Sequence, residues 1–250
     1  LPEERYICPE CSEHRKKKTD KCLAWNTQTE IGFCHNCRTS FIVYRPGIEK
    51  QYIAPEWKNI TSLSDKAVKW FTGRMISQKT LNKMKVYCDQ EFMPQFNEKV
   101  ETICFPFFFQ DRLINIKYRG PKKSFKQATG AELIFYNQDA LLNNKSIIIV
   151  EGEMDALSYI EVGIDNVISV PAGANTKMEY LDTYIDLFKD IETVYSASDQ
   201  DTKGMELRDE LGRRLGQERC FIVNFKDCKD ANEYLIKYGG PALLDTIKEA

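Results

Sequence analysis

Short apolar runs alternate with stretches of helical periodicity from residue 146 onward. Four of these runs have the length of buried strands, namely residues 147–150, 167–170, 194–197 and 220–225. Three helical stretches accompany them, one through Leu157, one near Glu179–Phe188 and one over Gly204–Leu215. Because strands that alternate with helices form βα units, the pattern predicts an α/β fold with a mostly parallel sheet and flanking helices. Ligands of such sheets bind outside the carboxyl ends of the strands.

The segment before this α/β region has a different pattern. Ser64 is placed to cap a helix that ends near Gly73, and Ser77 opens a second short helix. Two strands follow, Ile103–Phe109 and Leu113–Tyr118, joined by a turn at Gln110-Asp111. The first is too apolar for an exposed edge, so we expect it inside a sheet.

The nine cysteines include two CxxC pairs, Cys8 with Cys11 and Cys34 with Cys37. The spacing between the pairs is close to that of a zinc ribbon, because two knuckles with two thiolates each complete a tetrahedral site. We therefore predict a structural zinc ion on these four cysteines in a small zinc-ribbon domain. Buried or disulfide-bonded cysteines are the alternative. His14, Cys22 and His35 lie nearby, but the four-thiolate set is complete without them.

Two residues of this segment are candidates for contacts with nucleic acid. Trp25 can stack on an unpaired base, although a tryptophan between two knuckles more often packs the small core of the ribbon. His35, inside the second knuckle, is either solvated or a donor to a base.

A basic stretch between residues 112 and 126 contrasts with the slightly negative chain. The sequence has 35 Lys plus Arg against 37 Asp plus Glu, a net charge of −2, which excludes a uniformly basic coat protein for nucleic acid. The stretch carries no acidic side chain after Asp111, and its cations are Arg112, Lys117, Arg119, Lys122, Lys123 and Lys126. It is either a solvated edge hairpin or a surface that binds phosphates.

Carboxylates cluster in the loops after the predicted strands. Glu151 and Asp155 follow the first strand, and Asp199 and Asp201 follow the third. If Asp155 lies one helical turn beyond Glu151 and Asp199-x-Asp201 is extended, all four converge on one rim. Hard oxygen ligands suit Mg²⁺ or Mn²⁺, so we predict a divalent-cation site. Helix-favouring acids and turn-forming aspartates are the alternatives, and Asp230 after the fourth strand is either functional or only a helix cap.

Three of these motifs resemble the signature of a Toprim domain: Glu151–Leu157, Asp199–Gly204 and Lys229–Glu233. Trp70–Ser77 also resembles the helical motif that opens the catalytic core of DnaG-type primases. The order of a four-cysteine ribbon, a basic strand region and a Toprim domain is similar to those enzymes, and more closely to the primase half of phage primase-helicases. The sequence departs from many cellular relatives, which use three Cys and one His, and it contains no GxxxxGK[ST] helicase loop.

The resemblance assigns roles to residues at matching positions. It implies a catalytic acidic site of Glu151, Asp155, Asp199, Asp201 and Asp230, with Mg²⁺ or Mn²⁺ on Glu151, Asp199 and Asp201. Nucleotide binding falls to Lys117, Arg119 and Lys123, and template DNA binding to Trp25 and His35. The zinc ligands are Cys8, Cys11, Cys34 and Cys37.

The function implied is DNA-dependent RNA synthesis, in which ribonucleoside triphosphates are joined into a short primer on single-stranded template DNA. A replicative helicase, fused or separate, is the expected partner. A non-catalytic DNA-binding module of a helicase and a Toprim nuclease or topoisomerase are the alternatives. We expect a zinc ribbon over 1–43, a linker over 44–57, the first part of the polymerase core over 58–145 and a Toprim domain over 146–250.

The expected location is the cytoplasm of a bacterial or phage-infected cell. No apolar run approaches the roughly 18 residues of a membrane span, so no membrane contact is expected. The sequence begins at Leu1 without a basic-then-apolar leader, from which we expect no secretory signal.

Overall fold

The computed structural model describes residues 3–27, 31–42, 51–58, 62–174 and 178–250. The chain divides into two compact units, Leu1–Gln51 and Tyr52–Ala250. Residues 44–50 of the predicted linker lie outside the described residues. Within the last part of that range, the indole of Trp57 packs edge-on against the rings of Tyr87 and Phe108.

The first unit is a four-stranded antiparallel sheet in the order β1-β2-β3-β4. Its strands are β1 (Glu3–Tyr6), β2 (Leu23–Asn26), β3 (Ile31–Cys34) and β4 (Ser40–Ile42). The core is small: Leu23 is buried together with the side chains of Cys8 and Cys34. So few apolar side chains give little hydrophobic stabilisation, which is why units of this size depend on a metal or on disulfides.

The two predicted helices precede the antiparallel sheet of the second unit. The hydroxyl of Ser64 accepts a hydrogen bond from the Ala67 amide and caps α1 (Asp65–Thr72). Ser77 caps α2 (Gln78–Lys83) in the same way. The predicted start and end of α1 and the predicted start of α2 are confirmed.

An antiparallel sheet in the order β5-β6-β7-β8 follows these helices. Its strands are β5 (Tyr87–Met93), β6 (Glu98–Phe109), β7 (Arg112–Arg119) and β8 (Phe125–Gln127). The apolar strand β6 lies between β5 and β7, which confirms that it is not an edge. The sequence did not predict β5, whose residues alternate only weakly in polarity, or β8, which has three residues.

The third sheet is parallel, with the order β10-β9-β11-β12. Its strands are β9 (Ser146–Val150), β10 (Val167–Ser169), β11 (Thr193–Ala197) and β12 (Cys220–Ile222). The helices are α3 (Glu153–Glu161), α4 (Glu179–Thr183), α5 (Thr202–Leu215), α6 (Ala231–Tyr238) and α7 (Gly240–Lys248). The predicted α/β class is confirmed. One predicted helix is interrupted, because a 3₁₀ turn over Ile185–Phe188 replaces its second half.

The central strand β9 is buried on both faces. Ile148 and Val150 pack in a core that also contains Phe105 of β6, whereas Ile147 and Ile149 pack against the core that includes Leu207 of α5. The parallel sheet and the antiparallel sheet therefore share one hydrophobic core within the second unit. This fixes the loop after β9 opposite strand β7. Among the described residues, no helix has the length and hydropathy of a membrane span.

Candidate active site and metal centre

The four predicted cysteines come together in the first unit. The ligand atoms of Cys8, Cys11, Cys34 and Cys37 all lie within 4.8 Å of one another. The Sγ–Sγ distances are 3.7 Å for Cys8 with Cys37 and 3.7 Å for Cys11 with Cys34. A tetrahedral zinc ion with Zn–S bonds of about 2.3 Å requires ligand sulfurs about 3.8 Å apart, so this donor set fits zinc.

Hydrogen bonds around the sulfurs support the same arrangement. The amide of Cys37 donates to Cys34 Sγ at 3.5 Å, and the side chain of Asn36 donates to Cys11 Sγ at 3.2 Å. Donors of this kind stabilise thiolate over thiol, and thiolate is the form that binds metal.

The two residues predicted to contact template differ in exposure. The Trp25 side chain is half-buried and packs across the strands onto Gly32, where an added Cβ would lie 2.5 Å from the indole. His35 is exposed and its ring meets Phe33 edge-on at 5.3 Å.

A cleft of about 570 Å³ lies in the second unit, between the loop after β9 and the antiparallel sheet. Acidic side chains on one side and basic side chains on the other line it. The acidic residues are Glu151, Glu153, Asp155 and Asp230, and the basic residues are Arg74, Lys117, Arg119, Lys123 and Lys126. The basic stretch therefore faces the acidic loop.

Glu151 and Asp199 connect the loops after two neighbouring strands, β9 and β11. The Glu151 carboxylate accepts a hydrogen bond of 2.9 Å from the backbone amide of Asp199. Burial raises the pKa of Glu151 to about 7, and the negative charge of Asp199 adds to the effect. The expected helical turn from Glu151 to Asp155 was wrong, because α3 begins at Glu153 and Glu151 precedes its N-cap, Gly152.

Lys229 stands between the two carboxylates of the Asp-x-Asp motif. Its Nζ lies 2.8 Å from Asp199 and 3.2 Å from Asp201. The other oxygen of Asp201 caps α5 by accepting from the amides of Lys203 and Gly204, which lowers the pKa of Asp201. Burial raises the pKa of Asp199 despite the neighbouring ammonium group. The carboxylates of Asp199 and Asp201 thus share one cation, which is the ammonium group of Lys229.

The carboxylates are more widely spaced than the cysteines. Among the described residues, the four cysteines are the only group of three or more His, Cys, Asp or Glu side chains whose ligand atoms lie within 4.8 Å of one another. Glu151, Asp199 and Asp201 nevertheless provide the carboxylate oxygens that Mg²⁺ prefers, and a cation between them would offset their repulsion. This donor set fits a hydrated divalent ion that keeps several waters.

Asp155 and Asp230 lie deeper on the acidic side. Asp155 is buried and accepts a hydrogen bond of 3.1 Å from the Asn232 amide. Burial, and next the charge of Asp230, raise its pKa well above the ordinary value. Asp230 caps α6 by accepting from the Glu233 amide at 2.8 Å, so it is both a helix cap and part of the cleft.

The basic side of the cleft contains both paired and unpaired cations. Lys117 Nζ forms an ion pair of 2.8 Å with Glu153, and both side chains are largely buried. The Arg119 guanidinium lies over the rings of Trp70 at 4.8 Å and Phe125 at 5.1 Å. Within the described part of the chain, Arg119 and Lys123 form no ion pair. Their charges are therefore available to an anion.

Arg74 joins the basic side to the acidic side. Its guanidinium stacks 4.6 Å from Trp70 and donates a hydrogen bond of 2.8 Å to the side-chain oxygen of Asn232. Asn232 in turn donates to the Arg74 carbonyl and to Ser158. Arg74, Arg119 and Lys123 also line a second cavity of about 370 Å³ beside the cleft.

Sequence reasoning did not assign Arg74, Glu153, Lys229, Asn232 or Gly204 to the site. All five lie within or beside motifs that the sequence analysis had selected. Their roles depend on pairing between segments far apart in the chain, for which the sequence gives no direct signal.

Comparison with known proteins identifies the α/β region. A family described as Toprim-like matches residues 148–235, which carry β9, α3 and the two acidic loops. These residues are therefore similar to a Toprim-like domain. The expected resemblance to Toprim primases is confirmed at this level, and the matched segment lies inside the range 146–250 expected from the sequence.

Two plant proteins are similar to a larger part of the chain. A primase homolog protein of Arabidopsis thaliana is 32% identical over 224 residues, which are 82% of this chain and 65% of that protein. A Twinkle homolog protein, chloroplastic/mitochondrial, of the same plant is 31% identical over 218 residues, which are 79% of this chain and 30% of that protein. The chain thus spans less than two thirds of either relative.

The fold of the chain is similar to that of a solved primase fragment. The primase fragment of the bacteriophage T7 primase-helicase protein has a TM-score of 0.63, with 98% of each chain covered and 19% sequence identity. This likeness extends over the ribbon unit as well as the second unit. The architecture expected from the order of motifs, a cysteine ribbon followed by a Toprim-type sheet, is confirmed.

Proposed function

We propose that this protein is a DNA primase that joins ribonucleoside triphosphates into short RNA primers on single-stranded DNA. One observation carries the proposal: in one cleft the carboxylates of Glu151, Asp155 and Asp230 lie opposite the cations Arg119 and Lys123. Nucleotidyl transfer needs this combination, because a triphosphate brings negative charge that both a divalent ion and fixed cations must neutralise.

The acidic side would hold the metal. A Mg²⁺ or Mn²⁺ ion on Glu151, Asp199 and Asp201 would supply charge neutralisation at the α-phosphate and activation of the 3′-hydroxyl. Glu151 is fixed for this task by its hydrogen bond from the Asp199 amide. Asp155, buried behind this rim, holds the start of α6 through the Asn232 amide.

The basic side would hold the nucleotide. Arg119 and Lys123 form no ion pair among the described residues, so they are the strongest candidates for the triphosphate. Lys117 differs from them, because its ammonium group is already paired with Glu153. We propose that Lys117 contributes by sharing that ammonium group between Glu153 and a phosphate oxygen.

The ribbon and the partners complete the proposal. We propose that the zinc-bound ribbon selects the start site on the template, with His35 and Trp25 as the candidate contacts, and that the primer is used beside a replicative helicase. The T7 fragment belongs to a primase-helicase and one plant relative is named a Twinkle homolog. The proposed location is replicating DNA in the cytoplasm of a bacterial or phage-infected cell, whereas that relative is named chloroplastic/mitochondrial.

The test supplies the purified chain with single-stranded templates that contain every trinucleotide, labelled ribonucleotides and Mg²⁺. A primase makes new oligoribonucleotides, a Toprim nuclease clips the DNA, and a binding module only retains it. Asp199→Asn should abolish synthesis and leave template binding unchanged. Asp209→Asn, an exposed aspartate on α5, is the matched control and should retain full synthesis. Clipped or merely retained DNA from the unaltered chain would refute the proposal.

A further inference from the structure

A fifth cysteine touches the four-cysteine cluster of the ribbon. Cys22 Sγ lies 3.3 Å from Cys34 Sγ and 3.9 Å from Cys11 Sγ. Cys22 is not one of the four cysteines whose ligand atoms all lie within 4.8 Å of one another. With a metal on those four, Cys22 is, within the described ranges, the cysteine beside the cluster whose sulfur stays unbound.

The backbone holds Cys22 in this place. It immediately precedes β2, and its carbonyl accepts a hydrogen bond of 3.0 Å from the amide of His35, next to Cys34. The amide of Cys22 donates to the Asp20 carbonyl, also at 3.0 Å. Because the amide and the carbonyl of Cys22 both form hydrogen bonds, the fold of the unit keeps the Cys22 thiol beside Cys34.

The sulfur of Cys22 lies nearer to Cys34 than the sulfurs in two pairs of the metal-binding cysteines lie to each other. The pairs Cys8 with Cys37 and Cys11 with Cys34 are each 3.7 Å apart, the separation that a shared tetrahedral ion imposes. Cys22 and Cys34 are closer than this, at 3.3 Å. A single shift of about 1 Å therefore brings these two sulfurs toward the bond length of a disulfide.

We propose that Cys22 is the resolving cysteine of the ribbon: a hydroperoxide oxidises Cys34, Cys22 closes a disulfide with it, and the metal loses one of its four ligands. With hydrogen peroxide as the oxidant, the Cys34 thiolate attacks one oxygen in the first step, and the O–O bond breaks. A sulfenic acid and hydroxide form, and the hydroxide takes up a proton to give water. In the second step Cys22 attacks that sulfur, the S–S bond forms, and the sulfenic oxygen leaves as water with the proton of Cys22.

The expected consequence is reversible loss of metal. Three thiolates, on Cys8, Cys11 and Cys37, remain after the disulfide forms, and a structural zinc site is normally closed by four ligands. A dithiol reductant restores Cys34 and Cys22 to thiols. The device needs no contact with the second unit, and it is independent of the proposed function.

The test treats the zinc-loaded chain with hydrogen peroxide and follows zinc release with a chromogenic chelator. Free thiols are then alkylated, and the chain is cleaved at Lys21, Glu30 and Arg38, which separates Cys22 from Cys34. We expect a linked pair of peptides, with fragmentation assigning the bond to Cys34 rather than Cys37. Cys22→Ser should bind one zinc ion, release it several-fold more slowly and form no such link.

Cys220→Ser, in the second unit, is the matched control and should behave like the unaltered chain. Zinc release that is equally fast from Cys22→Ser would overturn the proposal. Disulfides confined to the four ligands, with Cys22 alkylated, would overturn it as well. If Cys22→Ser fails to hold zinc before any peroxide is added, Cys22 is a ligand rather than a resolving cysteine, and the proposal is also wrong.

Discussion

The Glu151 carboxylate accepts a hydrogen bond of 2.9 Å from the Asp199 backbone amide, although 48 positions separate the two residues. This contact fixes the two acidic loops to each other at the carboxyl ends of β9 and β11. It also leaves little room beside them, because a Cβ on Gly204 would lie 2.0 Å from the Asp199 carbonyl oxygen and 2.6 Å from Glu151 Oε1.

Gly204→Ala should therefore destabilise the second unit. Overpacking of this kind costs about 1–3 kcal/mol, and here the backbone of Asp199 has to move. Gly212→Ala, on the same helix, is the matched control, since its Cβ meets only the flexible Gln217 side chain at 3.4 Å. That change should be neutral or stabilising by up to about 1 kcal/mol. Urea unfolding measures the stability of both variants. Equal stabilities of Gly204→Ala and Gly212→Ala would contradict the close contact at Gly204.

Lys229→Met should lower the Mg²⁺ concentration at which the protein is half-saturated. The ammonium group lies between Asp199 and Asp201 and competes with a divalent ion for the same oxygens. Thermal unfolding during a Mg²⁺ titration gives the midpoint, because a ligand that binds only the folded state raises its stability. Lys237→Met, which removes an ion pair with Asp227 elsewhere, is the control. A higher midpoint for Lys229→Met would show that the lysine supports the metal instead.

Substitutions of Lys117 and Glu153, which form a buried ion pair, should have strongly non-additive effects on the free energy of unfolding. Breaking a buried ion pair by removing one partner costs about 3–5 kcal/mol, because the other charge is left without compensation. Glu153→Gln and Lys117→Met are each expected to be destabilising, whereas the double variant should recover most of the loss. A double-mutant cycle by urea unfolding measures the coupling. Additive effects would mean that Lys117 is not held by Glu153.

The stability contributed by Glu210 should depend on pH. Arg213, and next Arg214, lower the pKa of Glu210 from its usual value of 4.5 to about 2. Because the pKa of Glu210 is lower in the folded chain than in the unfolded chain, its ionised carboxylate stabilises the fold. This stabilisation is fully present above the pKa of the unfolded chain and is lost as the pH falls from about 5 toward 2. Glu210→Gln should thus be less stable than the unaltered chain at pH 7, with the gap closing at pH 3.

Exposure of Arg213 reduces its share of that gap. The Arg213 side chain is 65% exposed, so solvent screens its charge, whereas the side chains of Arg214 and Glu210 are 17% and 18% exposed. Glu206→Gln, an exposed glutamate on the same helix, serves as the control. A gap for Glu210→Gln that does not change between pH 7 and pH 3 would contradict the assignment.

Much of the fold was predictable because burial leaves a direct trace in the sequence. The run over β9 is apolar at every position from Ile147 to Val150, since both faces of that strand are covered. Helix starts were equally visible, because Ser64 and Ser77 act through hydrogen bonds within their own first turns. Strand β5 left no such trace, since one of its faces is only partly buried.

The candidate site was predictable only in part. Carboxylates after parallel strands point to one edge of the sheet, which placed Glu151 near Asp199 correctly. The partners of the charged groups were not predictable, because Lys117 meets Glu153 and Lys229 meets Asp199 through the folded arrangement of separate segments. The interrupted start of α3 also depends on the loop geometry at Gly152, which helical periodicity does not reveal.

The most direct measurement is a crystal structure of the chain with Mn²⁺ and a non-hydrolysable ribonucleoside triphosphate. The anomalous signal locates the metal, and the electron density locates the nucleotide. The account predicts a manganese peak contacting Glu151, Asp199 and Asp201, with Lys229 displaced and the triphosphate extending toward Arg119 and Lys123. A metal bound away from these carboxylates, or a triphosphate bound outside the cleft, would contradict the proposed active site.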